Sequence, residues 1–168
     1  VTEMIASEAA IRETRQSVQK AAWDRIEEPV SMQLVGCDPA SMAEAAKLQE
    51  GNGAAIIDIN FGCPVRKVCK TGGGSAMMTE LDKTAHLVKM MVDSVSIPIT
   101  AKMRLGWDDN NITAPNLVCV LEDVGVRAVF IHGRTREQNK QLSGAANWAS
   151  MNRNSFFTVF KLVSVLAR

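Results

Sequence analysis

The sequence predicts an α/β fold built on a parallel sheet and closed as a (β/α)8 barrel. Three observations lead there. Short apolar runs alternate with longer amphipathic ones along the chain. Such alternation gives parallel strands, because each parallel crossover needs a helix. A polar residue, Gln33, Asn60, Lys102 or His132, falls at or just past the end of each strand-like run. A barrel places working side chains on its rim from several strands, whereas an open sheet gathers them at one switch point. Periodicity alone leaves both open, and the rim pattern favours the barrel.

Taken in order, Val1 to Met4 is read as the tail of a strand, and Ser7 to Trp23 as a connecting helix or loop. Val30 to Val35 is a strand after Pro29. Asp38 and Pro39 then open a helix, the aspartate capping free amides and the proline suiting the first turn. Met42, Ala45, Ala46 and Gln49 share one face of it, and Gly51 and Gly53 stop it. Ala54 to Ile59 is the next strand, followed by a glycine-rich loop from Gly62 to Gly74. A helix from Thr79 to Ser94 places Leu81, Ala85, Val88, Met91 and Val92 at spacings of three and four. Ile97 to Met103 is a strand and Gly106 to Asn111 a polar loop. Thr113 is expected to cap the following helix, with Pro115 in its first turn and Leu117, Val118, Leu121 and Val124 inward. Gly125 ends that helix, and Ala128 to Ile131 is the last strand.

The 168 residues, 46% of them hydrophobic, suffice for one domain with a core. A net charge of +1 announces neither a general nucleic-acid binder nor an acidic tail, so any polyanion contact must come from a local patch. No secretory leader or bilayer-length apolar run is visible. Cys37, Cys63, Cys69 and Cys119 lack the spacing of a zinc or dithiol motif, so no metal is expected, and the thiols are read as reduced in a cytoplasmic protein.

The strongest chemical feature is Asp58-Ile59-Asn60-Phe61-Gly62-Cys63-Pro64, followed by Arg66, Lys67 and Lys70 and then Gly72-Gly73-Gly74-Ser75. A thiol just past a strand, among cations, suits proton transfer; the plainer reading is a small residue in a turn. The three glycines either cradle a phosphate or permit a tight loop. Lys102 and Arg104 share one side of their strand and need an anion, a polar cofactor or an ion pair with Asp58 or Asp108. His132, with Arg134 and Arg136 beyond it, either donates to a cofactor or is a satisfied core histidine.

Together these segments resemble the tRNA-dihydrouridine synthase family. The matching stretches are Thr2-Glu3-Met4, Gln33-Leu34, Asp38-Pro39, Asp58 through Pro64, Gly74-Ser75-Ala76, Lys102 through Trp107 and His132 through Gln138. Their order and spacing are more specific than any one of them. The resemblance implies an FMN-dependent TIM barrel in which NADPH reduces the flavin. Hydride then passes from flavin nitrogen 5 to carbon 6 of a uracil in tRNA. Cys63 is implied as the acid for carbon 5, and Asn60 as a residue placing flavin and uracil. Gln33, Lys102 and His132 are implied as flavin contacts; Arg66, Lys67, Arg104 and Arg134 are expected on the tRNA side of the rim.

The match runs from Val1 to about Met151 and corresponds to roughly the second to sixth strands of a barrel with their helices. Residues 1–151 are therefore expected to form a partial flavin-binding catalytic domain, and residues 152–168 a divergent C-terminal tail. The Asn-Gly-Asp and Gly-Arg strands of the family have no counterpart here. An isolated fragment of this kind is expected to bind FMN poorly. The alternatives are an inactive truncated product and a related flavin barrel acting on free pyrimidines. No membrane partner is expected, and the oligomeric state is left open.

Overall fold

A computed structural model describes residues 1–140 of the chain. Five strands form one parallel sheet in sequential order: β1 (Ile5–Ala6), β2 (Ser31–Val35), β3 (Ile56–Phe61), β4 (Ile99–Arg104) and β5 (Ala128–His132). Every strand pairs with its neighbours in sequence, so the order never reverses. An open doubly wound sheet reverses at its switch point, whereas a barrel winds one way. The sheet is thus part of a (β/α)8 barrel.

The connecting helices are α1 (Ser7–Ile11), α2 (Arg15–Ala21), α3 (Pro39–Gly51), α4 (Arg66–Lys70), α5 (Leu81–Ser94) and α6 (Ala114–Asp123). The layer is continuous: α3 packs on α1 and α5, and α5 on α6. Side chains alternate across a strand, so each strand offers one row to these helices. That row is Met32 and Leu34, then Ile57, Ile59 and Phe61, then Ile99, Ala101 and Met103, then Val129 and Ile131, all buried. Leu87, Val88 and Met91 of α5, with Leu117 and Leu121 of α6, fill the space behind them. Burying one such large side chain stabilises by about 1.5–3 kcal/mol, against about 1 kcal/mol net for a typical hydrogen bond. The outward row therefore holds the fold together, and the inward row is left for chemistry.

Several elements differ from the periodicity reading. The first strand is Ile5–Ala6, directly after Met4, and Ser7 to Trp23 holds two short helices. The third strand starts at Ile56 because the amide of Ala54 still bonds to Gln49 O, closing α3. It runs on to Phe61, which is fully buried. The fourth runs to Arg104 and the fifth to His132. Asp38 caps α3 as expected, its carboxylate accepting from Ser41 N at 2.8 Å. Thr113 does not cap α6: its backbone is helical and its hydroxyl is buried without a partner. Residues 152–168, expected as a divergent tail, lie outside the described residues.

The loop after β3 folds back on itself. Val65 turns it into α4, and a 3-10 turn (Gly74–Thr79) returns it to α5. Gly74 has φ +60° and sits so close to the cysteine turn that a Cβ there would meet Cys63 O at 2.8 Å. Ser75 N donates to the same carbonyl at 3.0 Å. The glycine run thus closes the loop on Cys63. Replacing Gly74 with alanine is expected to cost about 1–3 kcal/mol, through a left-handed backbone and a backbone clash together. Equilibrium urea unfolding reads this directly; an unchanged midpoint would contradict the close approach.

Candidate active site

The inward row differs in kind from the outward one. Register stacks it in layers. Gln33 stands beside Asp58, which stands beside Thr100; one step toward the strand ends, Asn60 stands beside Lys102, and Lys102 beside Phe130; at the last step Arg104 stands beside His132. A cleft of about 460 Å3 opens over these layers, lined by Gln33, Asp58, Asn60, Lys102, Phe130 and His132 among others. All four rim residues expected from sequence line it. Gln33 is not at a strand end, however: it is the third of five residues in β2, one layer deeper than Asn60 and Lys102. Its short strand carries only Leu34 and Val35 beyond it, so its side chain enters the cleft from below.

A chain of short hydrogen bonds runs through the cleft floor. Thr100 Oγ1 donates to Asp58 Oδ1 at 2.7 Å, and Gln33 Nε2 donates to Asp58 Oδ2 at 2.7 Å. Asn60 Nδ2 donates to Gln33 Oε1 at 2.8 Å. Asn60 Oδ1 accepts from Cys63 N at 2.8 Å and from Gly62 N at 3.1 Å. Burial pushes the Asp58 carboxyl above its ordinary value; the bonds from Thr100 and Gln33 and the charge of Lys102 oppose the shift. Sequence reasoning weighed Asp58 only as an ion-pair partner for Lys102 or Arg104. It is instead committed to Thr100 and Gln33. The signal was present: Asp58 lies two residues before Asn60 and so on the same face of the strand.

Cys63 does not line the cleft. It sits on the turn just beyond β3, with its amide held by Asn60 and its carbonyl by Ser75 N. Cys69 lies behind it, Sγ 3.5 Å from Cys63 O and 3.3 Å from Ser75 Oγ. The four cysteines are all free.

Positive charge gathers above the floor. Lys102 and Arg104 are half-buried. Burial lowers the Lys102 ammonium from its ordinary value, the Arg104 charge lowers it further, and Asp58 pulls it back. Arg104 is also pushed down by burial, but a guanidinium keeps its proton at any working pH. Its Nε donates to Gly62 O at 2.7 Å and its Nη1 approaches Thr135 O at 3.3 Å, so it ties β4 to the cysteine turn and to the loop after β5. Asp108, the other expected ion-pair partner, accepts instead from Asn110 N and Asn111 Nδ2 in its own loop. Burial, followed by the charges of Arg104, Lys102 and Arg134, lowers the His132 imidazole.

The remaining expected residues lie outside the cleft. Arg134 is half-buried just past β5, its carbonyl accepting from Leu105 N. Arg66 and Lys67 are exposed on α4, with Lys70 beside them. Lys67 borders a second groove of about 630 Å3 between α4 and the ends of β1 and β2. The loops after β4 and β5 are joined across the rim: Arg136 N and Glu137 N donate to the carbonyls of Gly106 and Trp107, and the Arg136 guanidinium lies 4.3 Å from the Trp107 ring centre.

Comparison with known proteins bears on this arrangement. The family model described as dihydrouridine synthase matches residues 1–153. A probable tRNA-dihydrouridine synthase of Rickettsia conorii is 48% identical over 149 residues, covering 88% of this chain and 44% of that protein. The tRNA-dihydrouridine synthase B of Xanthomonas campestris is 37% identical over 151 residues, 90% of this chain and 45% of that protein. A probable tRNA-dihydrouridine synthase 1 of Synechocystis is 42% identical over 147 residues, 88% of this chain and 41% of that protein. The chain spans less than half the length of these relatives. With a single-wound parallel sheet, a polar inward row and a cysteine turn fastened to it, the chain belongs to the dihydrouridine synthase family.

Proposed function

We propose that this chain carries the proton-donating part of an FMN-dependent reduction of uridine to 5,6-dihydrouridine in tRNA, with NADPH as the reductant. The observation that carries the reading is the clamped peptide of Cys63 beside a cleft bearing Gln33, Asn60, Lys102 and His132. The family and the names of its relatives support the reaction class.

The donor set suits a flat, acceptor-rich ring. Lys102 makes no direct ion pair among the described residues and is half-buried. A partly buried cation of this kind calls for an anionic or strongly polar partner. Arg104 Nη1 is 3.4 Å from His132 Nδ1; a guanidinium only donates, so Nδ1 accepts and the imidazole proton sits on Nε2. Gln33 and Asn60 each keep one amide hydrogen beyond those used in the cleft floor. When bound here, FMN would supply the hydride, and Lys102, His132, Gln33 and Asn60 would hold the cofactor. Cys63 Sγ provides the proton at pyrimidine carbon 5, which relieves the charge built up when the neighbouring carbon is reduced. The target base must leave the tRNA stack to enter such a site.

Arg66, Lys67 and Lys70 favour a polyanion over a free pyrimidine, since they expose three cations beside the cysteine turn. They add affinity without reading sequence.

Three outcomes test this reading. Cys63→Ala in the complete barrel is expected to lower the rate of dihydrouridine formation by about 10²–10⁴-fold, the usual span for a positioned acid. Mass spectrometry of digested tRNA measures it, and an undiminished rate would remove Cys63 from the reaction. Arg66→Ala with Lys67→Ala is expected to weaken tRNA binding and to flatten its dependence on salt by about two phosphate contacts. An unaltered salt slope in filter binding would move the RNA elsewhere. The His132 imidazole is expected to titrate below 6.5, its ordinary value. Its neutral form is the folded one, so the linked stability is complete above pH 6.5 and is lost as pH falls toward the lowered value. Imidazole proton shifts followed by NMR against pH report it; a midpoint at or above 6.5 would contradict the neutral donor.

A further inference from the structure

The floor of the cleft contains a buried titratable group that the proposed reaction does not use. Asp58 is 3% exposed, inward-facing and two residues from Asn60. We propose that Asp58 is a positioning residue for Cys63: through Gln33 and then Asn60 it sets the direction of the hydrogen bonds that hold the cysteine turn. Its catalytic consequence rests on reading Cys63 as the acid; the hydrogen-bond relay itself does not.

Each link in the relay allows one orientation. The amides of Gly62 and Cys63 can only donate, so Asn60 must turn Oδ1 toward them. Its Nδ2 then points the other way, to Gln33 Oε1. Gln33 in turn must present Nε2 to its far neighbour, and that neighbour is a carboxylate oxygen of Asp58, which when ionised only accepts. Thr100 Oγ1 occupies the other oxygen and stops the carboxylate from swinging. Backbone donors at one end and a carboxylate at the other demand the same polarity of both side-chain amides. Neither amide is held from one side only, and reversing either would set donor against donor or acceptor against acceptor. Of the two ends that fix this polarity, the turn amides are backbone and the acceptor at Asp58 is a side chain.

A plainer role is available, in which Asp58 only offsets the charge of Lys102. The two roles separate at the loop. Charge compensation leaves the turn amides indifferent to Asp58, whereas the relay makes them depend on an acceptor at that position.

Amide hydrogen exchange of the 168-residue chain, followed by NMR, tests the proposal without any cofactor. In Asp58→Leu the amides of Gly62 and Cys63 are expected to exchange at least about tenfold faster, while Ile59 and Ala101 in the central ladder keep their protection. Asp58→Asn retains an acceptor oxygen, and the Thr100 hydroxyl can accept from the new amide. That variant is expected to stay within about threefold of the parent. Turn amides unchanged in Asp58→Leu with the ladder intact would overturn the proposal. So would an Asp58→Asn variant as fast as Asp58→Leu, since the two differ in the acceptor and both lack the charge. Should the leucine variant lose ladder protection, Gln33→Met cuts the same relay at a half-buried side chain. It is expected to accelerate the same two amides, and unchanged exchange there would overturn the proposal equally. Dihydrouridine formation by Cys63→Ala reads the acid, and exchange reads the relay, so either can fail alone.

Discussion

The two-residue alternation of β3 is the constraint on which the rest of this structure depends. Ile57, Ile59 and Phe61 face the helices and are buried; Asp58 and Asn60 face the cleft. A one-residue slip would exchange these rows, sending a carboxylate into the helical layer and a phenyl ring into the cleft. The apolar row holds the register, and the register in turn places the polar row. Stability and site are thus two sides of one strand. The same alternation repeats in β4, where Ala101 and Met103 are buried beneath α5 and α6 while Thr100, Lys102 and Arg104 line the inward side.

From that strand the polar organisation spreads in two directions. Downward, Asn60 reaches Gln33, Asp58 and Thr100 on three different strands. Outward, it holds the turn that carries Cys63, while Arg104 braces the same turn through Gly62 O. Partial burial, together with the charge of Arg104, is why the Lys102 ammonium and the His132 imidazole are both lowered. Such a concentration of positive potential stabilises a bound anion more than it stabilises the empty protein.

Much of this architecture was legible in the residues. Helices α3, α5 and α6 followed from apolar spacing, and Asp38 from its place before Pro39. Asn60, Lys102 and His132 converge because parallel strands in sequential order bring their ends to one rim, and Gln33 joins them from one layer deeper in its strand. Other features were hidden for physical reasons. A strand of two residues, Ile5–Ala6, is too short to show a period. Helix α4 is built of Arg66, Lys67, Val68, Cys69 and Lys70, with no apolar face to mark it among the glycines and proline around it. Ala54 belongs to the apolar run before β3, yet its amide closes the preceding helix. The threonine at 113 has the residue type of a cap but helical dihedral angles, and a cap needs extended ones. Asp58 looked like an ion-pair partner, since a sequence shows that charges are near one another but not which neighbours accept hydrogen bonds.

The clamp on Cys63 has a consequence for reach. With its nitrogen bound by Asn60 and its oxygen by Ser75, the peptide planes on both sides of the residue are pinned. The sulfur is left a single rotatable bond, with three staggered wells. It therefore travels on a short arc instead of roaming with a loop, and in the proposed reaction a planar base has to come to a point on that arc to be protonated. Under that proposal, where the ring edge must arrive is set by one torsion angle.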